Sequence, residues 1–184
     1  MQRSAAIAFA VAFLGLAEPW VARAADESFG EYEVKAAFLY NFARFVEWPD
    51  PAPAAEEPVE ICVLGEDPFG EVLDRTIAKK KVHGHPVVAR RIEGPDDAAT
   101  CRIVFVSASE ERLRPTLETL AREQTLTVGE DDDFTKQGGM IKFLLDERRV
   151  RLEINVDALE RAGLKASSQL LRVARVVRRT KEGF

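Results

Sequence analysis

Residues 140–155 read MIKFLLDERRVRLEIN, and their alternating pattern predicts a β-hairpin. Every second residue on each arm is apolar, which is typical of a strand with one face in the core. These residues are Ile141, Phe143 and Leu145 on the first arm, and Val150, Leu152 and Ile154 on the second. Asp146 to Arg149 form the polar turn. Because hairpin arms are antiparallel, this stretch predicts an antiparallel end to a sheet.

Before the hairpin, short apolar runs alternate with helical patterns. The runs are VEICVLG (59–65), VVARRI (87–92), CRIVFVS (101–107) and TLTVGE (125–130), and the helical segments are 68–77 and 110–123. Such alternation indicates parallel strands covered on both faces. We therefore expect a single α/β domain whose central mixed sheet combines parallel strands with the C-terminal antiparallel hairpin, and whose helices lie on both faces.

After the hairpin, two helices are predicted. Asn155 is placed to cap a short helix that runs through Arg161 and stops at Gly163. A last helix is capped by Ser167 or Ser168 and carries Leu170, Leu171, Val173 and Val176.

The first residues have the pattern of a secretory signal peptide. Arg3 precedes an apolar run from Ala5 to Leu16, and a small-x-small site ends at Ala24. The run is shorter than the roughly 20 apolar residues that a membrane-spanning helix needs. We expect cleavage after Ala24, which gives a signal peptide at 1–24 and the α/β domain at 25–184 with no transmembrane segment.

Charge and cysteine content narrow the class of protein. A formal net charge of −5 argues against a nucleic-acid partner. The segment RVARVVRRTK (172–181) is nevertheless basic. It is either the solvated end of a helix or an anchor on anionic lipid. In an exported protein, the two cysteines Cys62 and Cys101 favour a disulfide, with two buried thiols as the alternative. No CxxC spacing supports thioredoxin-like chemistry.

No residue pattern indicates an enzyme. His83 and His85 lie one residue apart without further metal ligands at a known spacing, and Asp131 to Asp133 lack a calcium-loop pattern. A phosphate-binding glycine loop is also missing. We expect no catalytic residue, no metal site and no cofactor, and a metal-dependent hydrolase stays a minor alternative.

The carboxyl ends of the parallel strands predict a possible ligand crevice. In open α/β sheets ligands bind beyond these ends. The residues there are Gly65, Ser107, Ser109 and Asp131. A periplasmic sensor that binds a small ligand in this crevice is the alternative function.

The stretch VKAAFLYNFARFVEWP (34–49) predicts an aromatic helix that Pro49 ends. Its broad apolar face is expected to cover the sheet, and Lys35 within that face needs a polar partner. Ala36 and Ala43 would let another helix approach closely. A narrower strip of Tyr40, Arg44 and Glu47 is a candidate contact for another protein.

Several segments together resemble a known family. They are KAAFLYNFARFVEWP, ICVLGEDPFGEVLD, HGHPVVARRI, CRIVFVSAS, LTVGE and FTKQGGMIKFLLDERRVRLEINVDALERAGLKASSQLLRVARV, in this order. Over about residues 29–177 the chain resembles the YfiR-like family of periplasmic proteins.

The resemblance implies a small α/β protein of the periplasm, often a homodimer. Such a protein restrains an inner-membrane diguanylate cyclase by contacting its periplasmic sensing domain. Release of the inhibitor raises cyclic di-GMP and favours biofilm formation.

The resemblance also bears on single residues. Cys62 and Cys101 match a cysteine pair of family members, which strengthens the expected disulfide. A second pair near the Gly-Gly turn is missing, where Lys136 and Phe143 stand nearby, so a redox switch there is not expected. His85 stands where a basic residue, often Arg, is expected, so a charge contact there would be weakened at neutral pH.

Overall fold

The computed structural model describes residues 20–49 and 57–178, with side chains described from residue 30 onwards. Most of the proposed signal peptide lies outside these residues, so cleavage after Ala24 stays a prediction. Among the described residues, no helix has both the length and the hydropathy that crossing a membrane requires.

The described residues form five α-helices, ten β-strands and one short 3-10 helix (Pro95–Ala98). The helices are α1 (Trp20–Phe45), α2 (Glu71–Ile77), α3 (Leu113–Arg122), α4 (Val156–Arg161) and α5 (Ser168–Arg172). The strands are β1 (Val46–Glu47), β2 (Val59–Leu64), β3 (Lys81–Val82), β4 (His85–Ile92), β5 (Cys101–Val106), β6 (Leu126–Gly129), β7 (Ile141–Asp146), β8 (Arg149–Asn155), β9 (Lys165–Ala166) and β10 (Ala174–Val177).

The central sheet is mixed, as the sequence predicts. Its eight strands lie in the order β10-β8-β7-β6-β5-β2-β4-β3. The five central strands β4, β2, β5, β6 and β7 are parallel to one another. At the two sides, β8 runs antiparallel to β7 and β3 antiparallel to β4. The expected fold class is therefore confirmed.

Each face of the sheet has its own core. Alternate strand residues point to opposite faces, so Ile61 and Phe105 pack under α1 and α2 while Leu64 and Val104 pack under α3. The aromatic helix covers the first face, where the Phe42 and Phe143 rings lie 6.0 Å apart. Ala36 and Ala43 are buried, and α2 packs against α1; a close approach of the two helices at these alanines stays a prediction.

The predicted hairpin and both helix caps are confirmed. The strands β7 and β8 pair from Asp146 opposite Arg149, next to the turn, to Ile141 opposite Ile154. The Asn155 side chain accepts a hydrogen bond from the Ala158 amide at 3.0 Å, and α4 ends before Gly163. Ser167 caps α5 by accepting from the Leu170 amide.

The prediction for the last helix is wrong beyond Arg172. Val173 follows the end of α5, and Val176 lies in β10, which pairs in parallel with β8. Branched side chains such as Val favour strands, and the free edge of β8 supplies backbone hydrogen-bond partners. Pairing with that edge therefore outweighs one more helical turn.

The aromatic helix also ends earlier than predicted. It stops at Phe45, and Val46 and Glu47 form β1, which pairs with β9. The Phe45 carbonyl, left without a helical partner, accepts a hydrogen bond from the Ser167 amide at 2.8 Å. A tertiary strand pairing, and not Pro49, thus ends the helix.

A disulfide joins Cys62 to Cys101, with 5.9 Å between the Cα atoms. It connects β2 with β5, which are neighbours in the sheet. Both cysteines are buried, so the bond lies within the second core.

Candidate functional site

The three residues of the proposed partner strip differ in exposure. Arg44 and Glu47 are exposed, whereas Tyr40 is half-buried. The Tyr40 hydroxyl donates to the Lys81 carbonyl at 3.2 Å. Its ring lies 4.6 Å from the Lys80 ammonium and 5.9 Å from the Arg44 guanidinium. Tyr40 therefore fixes α1 to the edge strand β3.

Glu47 does not lie on the helix, because α1 ends at Phe45. The prediction that Glu47 lies on the aromatic helix with Tyr40 and Arg44 is therefore wrong. Glu47 nevertheless lies beside Arg44, since both line one groove at the end of α1.

We call this space the α1 groove. Its volume is about 330 Å³, and it opens at the amino ends of β2, β4 and β5. Its lining combines apolar side chains with four basic or titratable ones and one carboxylate: Ala43, Val46, Trp48, Val59 and Val82, with Arg44, His83, His85, Arg102 and Glu47. This mixture is typical of protein contact sites, which combine aromatic residues and arginine.

Trp48 forms an ordered wall of the α1 groove. Its indole nitrogen donates to the Gln124 carbonyl at 3.1 Å, and the Arg102 guanidinium lies 5.9 Å from its rings. An arginine in this position is attracted by the aromatic face. Trp48 and Arg102 come from distant parts of the chain, so no spacing in the sequence signals that they share a site.

The loops at the carboxyl ends of β2 and β5 bond to each other. The Glu66 amide donates to Ser109 Oγ at 2.9 Å, and the Ser107 amide donates to the Leu64 carbonyl at 2.9 Å. Gly65 has a φ of +87°, and a Cβ atom there would lie 2.7 Å from Ser109 Oγ. This close approach requires glycine and leaves little space between the loops.

The loop after β6 is filled by Phe134. This side chain is fully buried, and Gly129 and Gly139 lie against its two edges, where a Cβ atom would be 2.3 Å and 2.2 Å from ring atoms. Asp131 turns the loop by accepting a hydrogen bond from the Asp133 amide at 2.8 Å. The ring occupies space at this edge of the sheet that a ligand would need.

A buried lysine lies at the same edge of the sheet, next to the carboxyl end of β6. Lys35, only 4% exposed, pairs with Glu31 at 2.5 Å and with Glu130, which directly follows β6. The Tyr32 hydroxyl donates to Glu130 at 3.0 Å. Burial raises the pKa of Tyr32, and the neighbouring Glu130 charge raises it further. The predicted need of Lys35 for a polar partner is thus met by these two carboxylates.

The predicted crevice residues are therefore brought together only in part. Gly65, Ser107 and Ser109 lie together, with the Ser109 amide donating to Ser107 Oγ and the Glu66 amide to Ser109 Oγ, whereas Asp131 belongs to the separate loop around Phe134. A ligand at this rim stays a prediction, and nothing in the geometry of these loops favours it.

The two histidines are placed differently from one another. His83 occupies the turn between β3 and β4 with a φ of +50°, so it does not share a strand face with His85. His85 Nδ1 lies 3.0 Å from the Glu57 carbonyl. Within residues 30–49 and 57–178, the one cluster of three possible metal ligands is Glu60, Cys62 and Cys101, and its sulfurs are joined in the disulfide.

Solved structures with a similar fold come from three bacteria. A conserved domain protein from Vibrio cholerae O1 biovar El Tor is 14% identical over 64% of this chain, with a TM-score of 0.49. The ABC domain from Streptococcus pneumonia, solved in complex with L-Trp, is 10% identical over 77%, with a TM-score of 0.52. The substrate binding protein CD0873 from Clostridium difficile is 10% identical over 66%, with a TM-score of 0.47.

These likenesses concern the fold alone. The chain spans 54%, 60% and 55% of the lengths of the three proteins, in the same order. Identities of 10 to 14% carry no residue-by-residue correspondence of sites.

A family comparison is more informative. The model of the YfiR/HmsC-like family matches residues 32–175. The matched range contains the α1 groove, the disulfide, the Phe134 loop and the C-terminal hairpin. Because the match takes in most of the chain, the protein belongs to the YfiR/HmsC-like family.

Proposed function

We propose that the protein is a periplasmic regulatory binding protein. It restrains an inner-membrane diguanylate cyclase through that enzyme's periplasmic sensing domain, and so lowers cyclic di-GMP and biofilm formation. Membership of the family supports a regulatory role, and that role requires a surface for another protein and no catalytic group.

The α1 groove is the observation that carries this proposal. Exposed Arg44 and Glu47 lie beside the ordered Trp48 wall, so a partner would find both charge and apolar area in one place. Arginine and tryptophan are the residues that most often dominate binding energy in interfaces. Tyr40, which is half-buried, contributes by holding α1 against the Lys81 carbonyl.

The test is co-purification from detergent-solubilised membranes of the native cells. The tagged protein is expected to recover a membrane protein with a diguanylate cyclase domain. The variant Arg44→Glu, which places a negative charge beside Glu47, is expected to lower this recovery at least tenfold, as loss of one charge-assisted contact does.

Arg114→Glu is the matched control, because Arg114 is an exposed arginine on α3, on the opposite face of the sheet. It is expected to recover the cyclase like the unaltered protein. Equal recovery with Arg44→Glu would refute the α1 groove as the contact. Failure of the unaltered protein to recover any cyclase would refute the proposed function itself.

We include a homodimer in the proposal, because the family resemblance implies one. Sedimentation velocity at micromolar concentration is expected to give a species of twice the chain mass. A single monomeric species at all concentrations would remove this part of the proposal without affecting the contact with the cyclase.

A further inference from the structure

A second cavity, of about 360 Å³, lies between the Phe134 loop, α4 and the edge strand β10. Its size falls within the range of roughly 300–1,000 Å³ that is usual for small-molecule sites. Four cationic side chains and one carboxylate line it: Lys136, Arg161, Arg175, Arg178 and Glu153. We call this cavity the basic cleft.

The fold brings these cations together from separate parts of the chain. Lys136 comes from the loop after β6, and Arg161 is the last residue of α4. β10 supplies Arg175 and ends just before Arg178, and its parallel pairing sets Arg175 opposite Glu153 of β8. A helix at residues 173–177 would not give this pairing, so the basic cleft depends on β10 being a strand.

Most of the charges in the basic cleft have an internal partner. Lys136 pairs with Asp133 at 2.6 Å, and Arg178 lies 3.3 Å from Asp157 and 3.9 Å from Glu160. Arg175 lies 3.7 Å from Glu153.

Arg161 is different. Its side chain is exposed and makes no hydrogen bond or ion pair within the part of the chain that the structure describes. Its five N–H groups form a fork that suits a carboxylate or phosphate. Its guanidinium is therefore the donor that a ligand in this cleft can engage without breaking an existing contact.

The floor of the basic cleft is polar and fixed. The Thr135 hydroxyl donates to Glu153 at 2.6 Å, and the Asn155 amide donates to the Thr135 carbonyl at 2.9 Å. Because Asn155 also caps α4, the floor and the helix that carries Arg161 are held together. A lining held in place in this way loses less conformational entropy when a ligand binds.

We propose that the basic cleft binds a small molecule with two anionic groups, each a carboxylate or a phosphate. Four cations and one carboxylate line the basic cleft, and because carboxylates already pair with Lys136, Arg175 and Arg178, Arg161 supplies the positive charge that an anion can neutralise. One anionic group lies against Arg161 and the other against Lys136 and Arg175. This binding is independent of the proposed cyclase contact, because the basic cleft and the α1 groove share no residue.

The test is calorimetric titration of the full chain with citrate and with pyrophosphate, at a constant ionic strength of about 0.15 M. One of the two probes is expected to bind saturably with one site per chain, and the better probe identifies carboxylate or phosphate as the preferred group. Arg161→Gln is expected to weaken that binding about tenfold, because it removes a charge-assisted pair of hydrogen bonds.

Arg149→Gln is the matched control. Arg149 is an exposed arginine at the other end of β8, about 13 Å along the strand from Glu153. Its replacement lowers the net charge equally and is expected to leave the affinity unchanged. Absence of saturable binding with both probes, or equal weakening by the two variants, would overturn the proposal.

Glu153→Gln provides a second readout. It removes the one negative charge from the lining, while its amide oxygen still accepts from Thr135, so the affinity for the anion is expected to rise severalfold. An unchanged or weaker affinity in a variant with an unaltered melting temperature would count against an anion in the cleft. If this variant fails to fold, the exposed Arg161→Gln decides the question alone.

Discussion

The two ends of the parallel strands differ in how closely their surroundings are packed. At the carboxyl ends, Phe134 fills the loop after β6, Ser109 bonds across to Glu66, and Lys35 pairs with Glu130. At the amino ends, the α1 groove is open, and Arg44 and Glu47 on its border are exposed.

The ligand crevice predicted at the carboxyl ends and the α1 groove at the amino ends therefore lie in different surroundings. Ligands bind beyond the carboxyl ends when loops there leave polar groups unpaired around a crevice. In this protein the loops after β2 and β5 bond to each other, and the loop after β6 encloses Phe134. The two surfaces that we propose for recognition lie at the opposite ends of the strands and in the basic cleft beyond β8 and β10.

Replacing Phe134 is expected to have the largest effect on stability. Phe134→Ala leaves a cavity between Gly129 and Gly139 and should lower the free energy of unfolding by about 4 kcal/mol. Urea denaturation followed by circular dichroism measures it, and Phe134→Leu, which keeps most of the volume, should cost clearly less. A loss below about 1 kcal/mol would show that the ring does not support the carboxyl ends.

Removing the disulfide tests how much it stabilises the core under α3. The double variant Cys62→Ala and Cys101→Ala releases a loop closed over a sequence separation of 39 and should lower the free energy of unfolding by about 3 kcal/mol. The same denaturation experiment on the unaltered protein with a reductant provides the control. Equal stability of oxidised and reduced protein would contradict this expectation.

Breaking the buried ion pair should cost less, about 2 kcal/mol. Lys35→Met keeps the length of the side chain but leaves the Glu31 and Glu130 carboxylates without their shared cation. Both carboxylates are about a quarter exposed, which reduces the cost below that of a fully buried charge. Glu31→Gln, which leaves Glu130 paired, should cost much less, and an equal loss for both variants would contradict the central role of Lys35.

The sequence predicted what depends on local pattern. Alternation identified the hairpin around Phe143 and Leu152, and capping chemistry identified Asn155 and Ser167, because these signals lie within a few residues of each other. The predicted signal peptide, the two cysteines and the family resemblance together favoured the disulfide over two buried thiols.

What the sequence did not predict depends on pairing between distant segments. β1 pairs with β9 and ends α1 early, and β10 pairs with β8 in place of a helical turn. The α1 groove and the basic cleft both depend on these pairings, since the pairings place Glu47 in the first and Arg175 in the second. Val46 pairs with Ala166, which lies more than 100 residues away in the sequence. Local secondary-structure propensity carries no information about such a pairing.

Tyr40→Phe is expected to have the smallest effect on stability. Together with Tyr40→Ala, it separates the role of Tyr40 in folding from its role in the proposed partner contact. The variant loses the exposed hydrogen bond to the Lys81 carbonyl, so the free energy of unfolding should fall by about 0.5 kcal/mol. The ring keeps its contacts with Lys80 and Arg44, and recovery of the cyclase should stay within about twofold. Tyr40→Ala removes the ring as well and should lower recovery while α1 stays folded by circular dichroism. If Tyr40→Ala instead unfolds the chain, the residue belongs to the core, and the contact surface reduces to Arg44, Glu47 and the Trp48 wall.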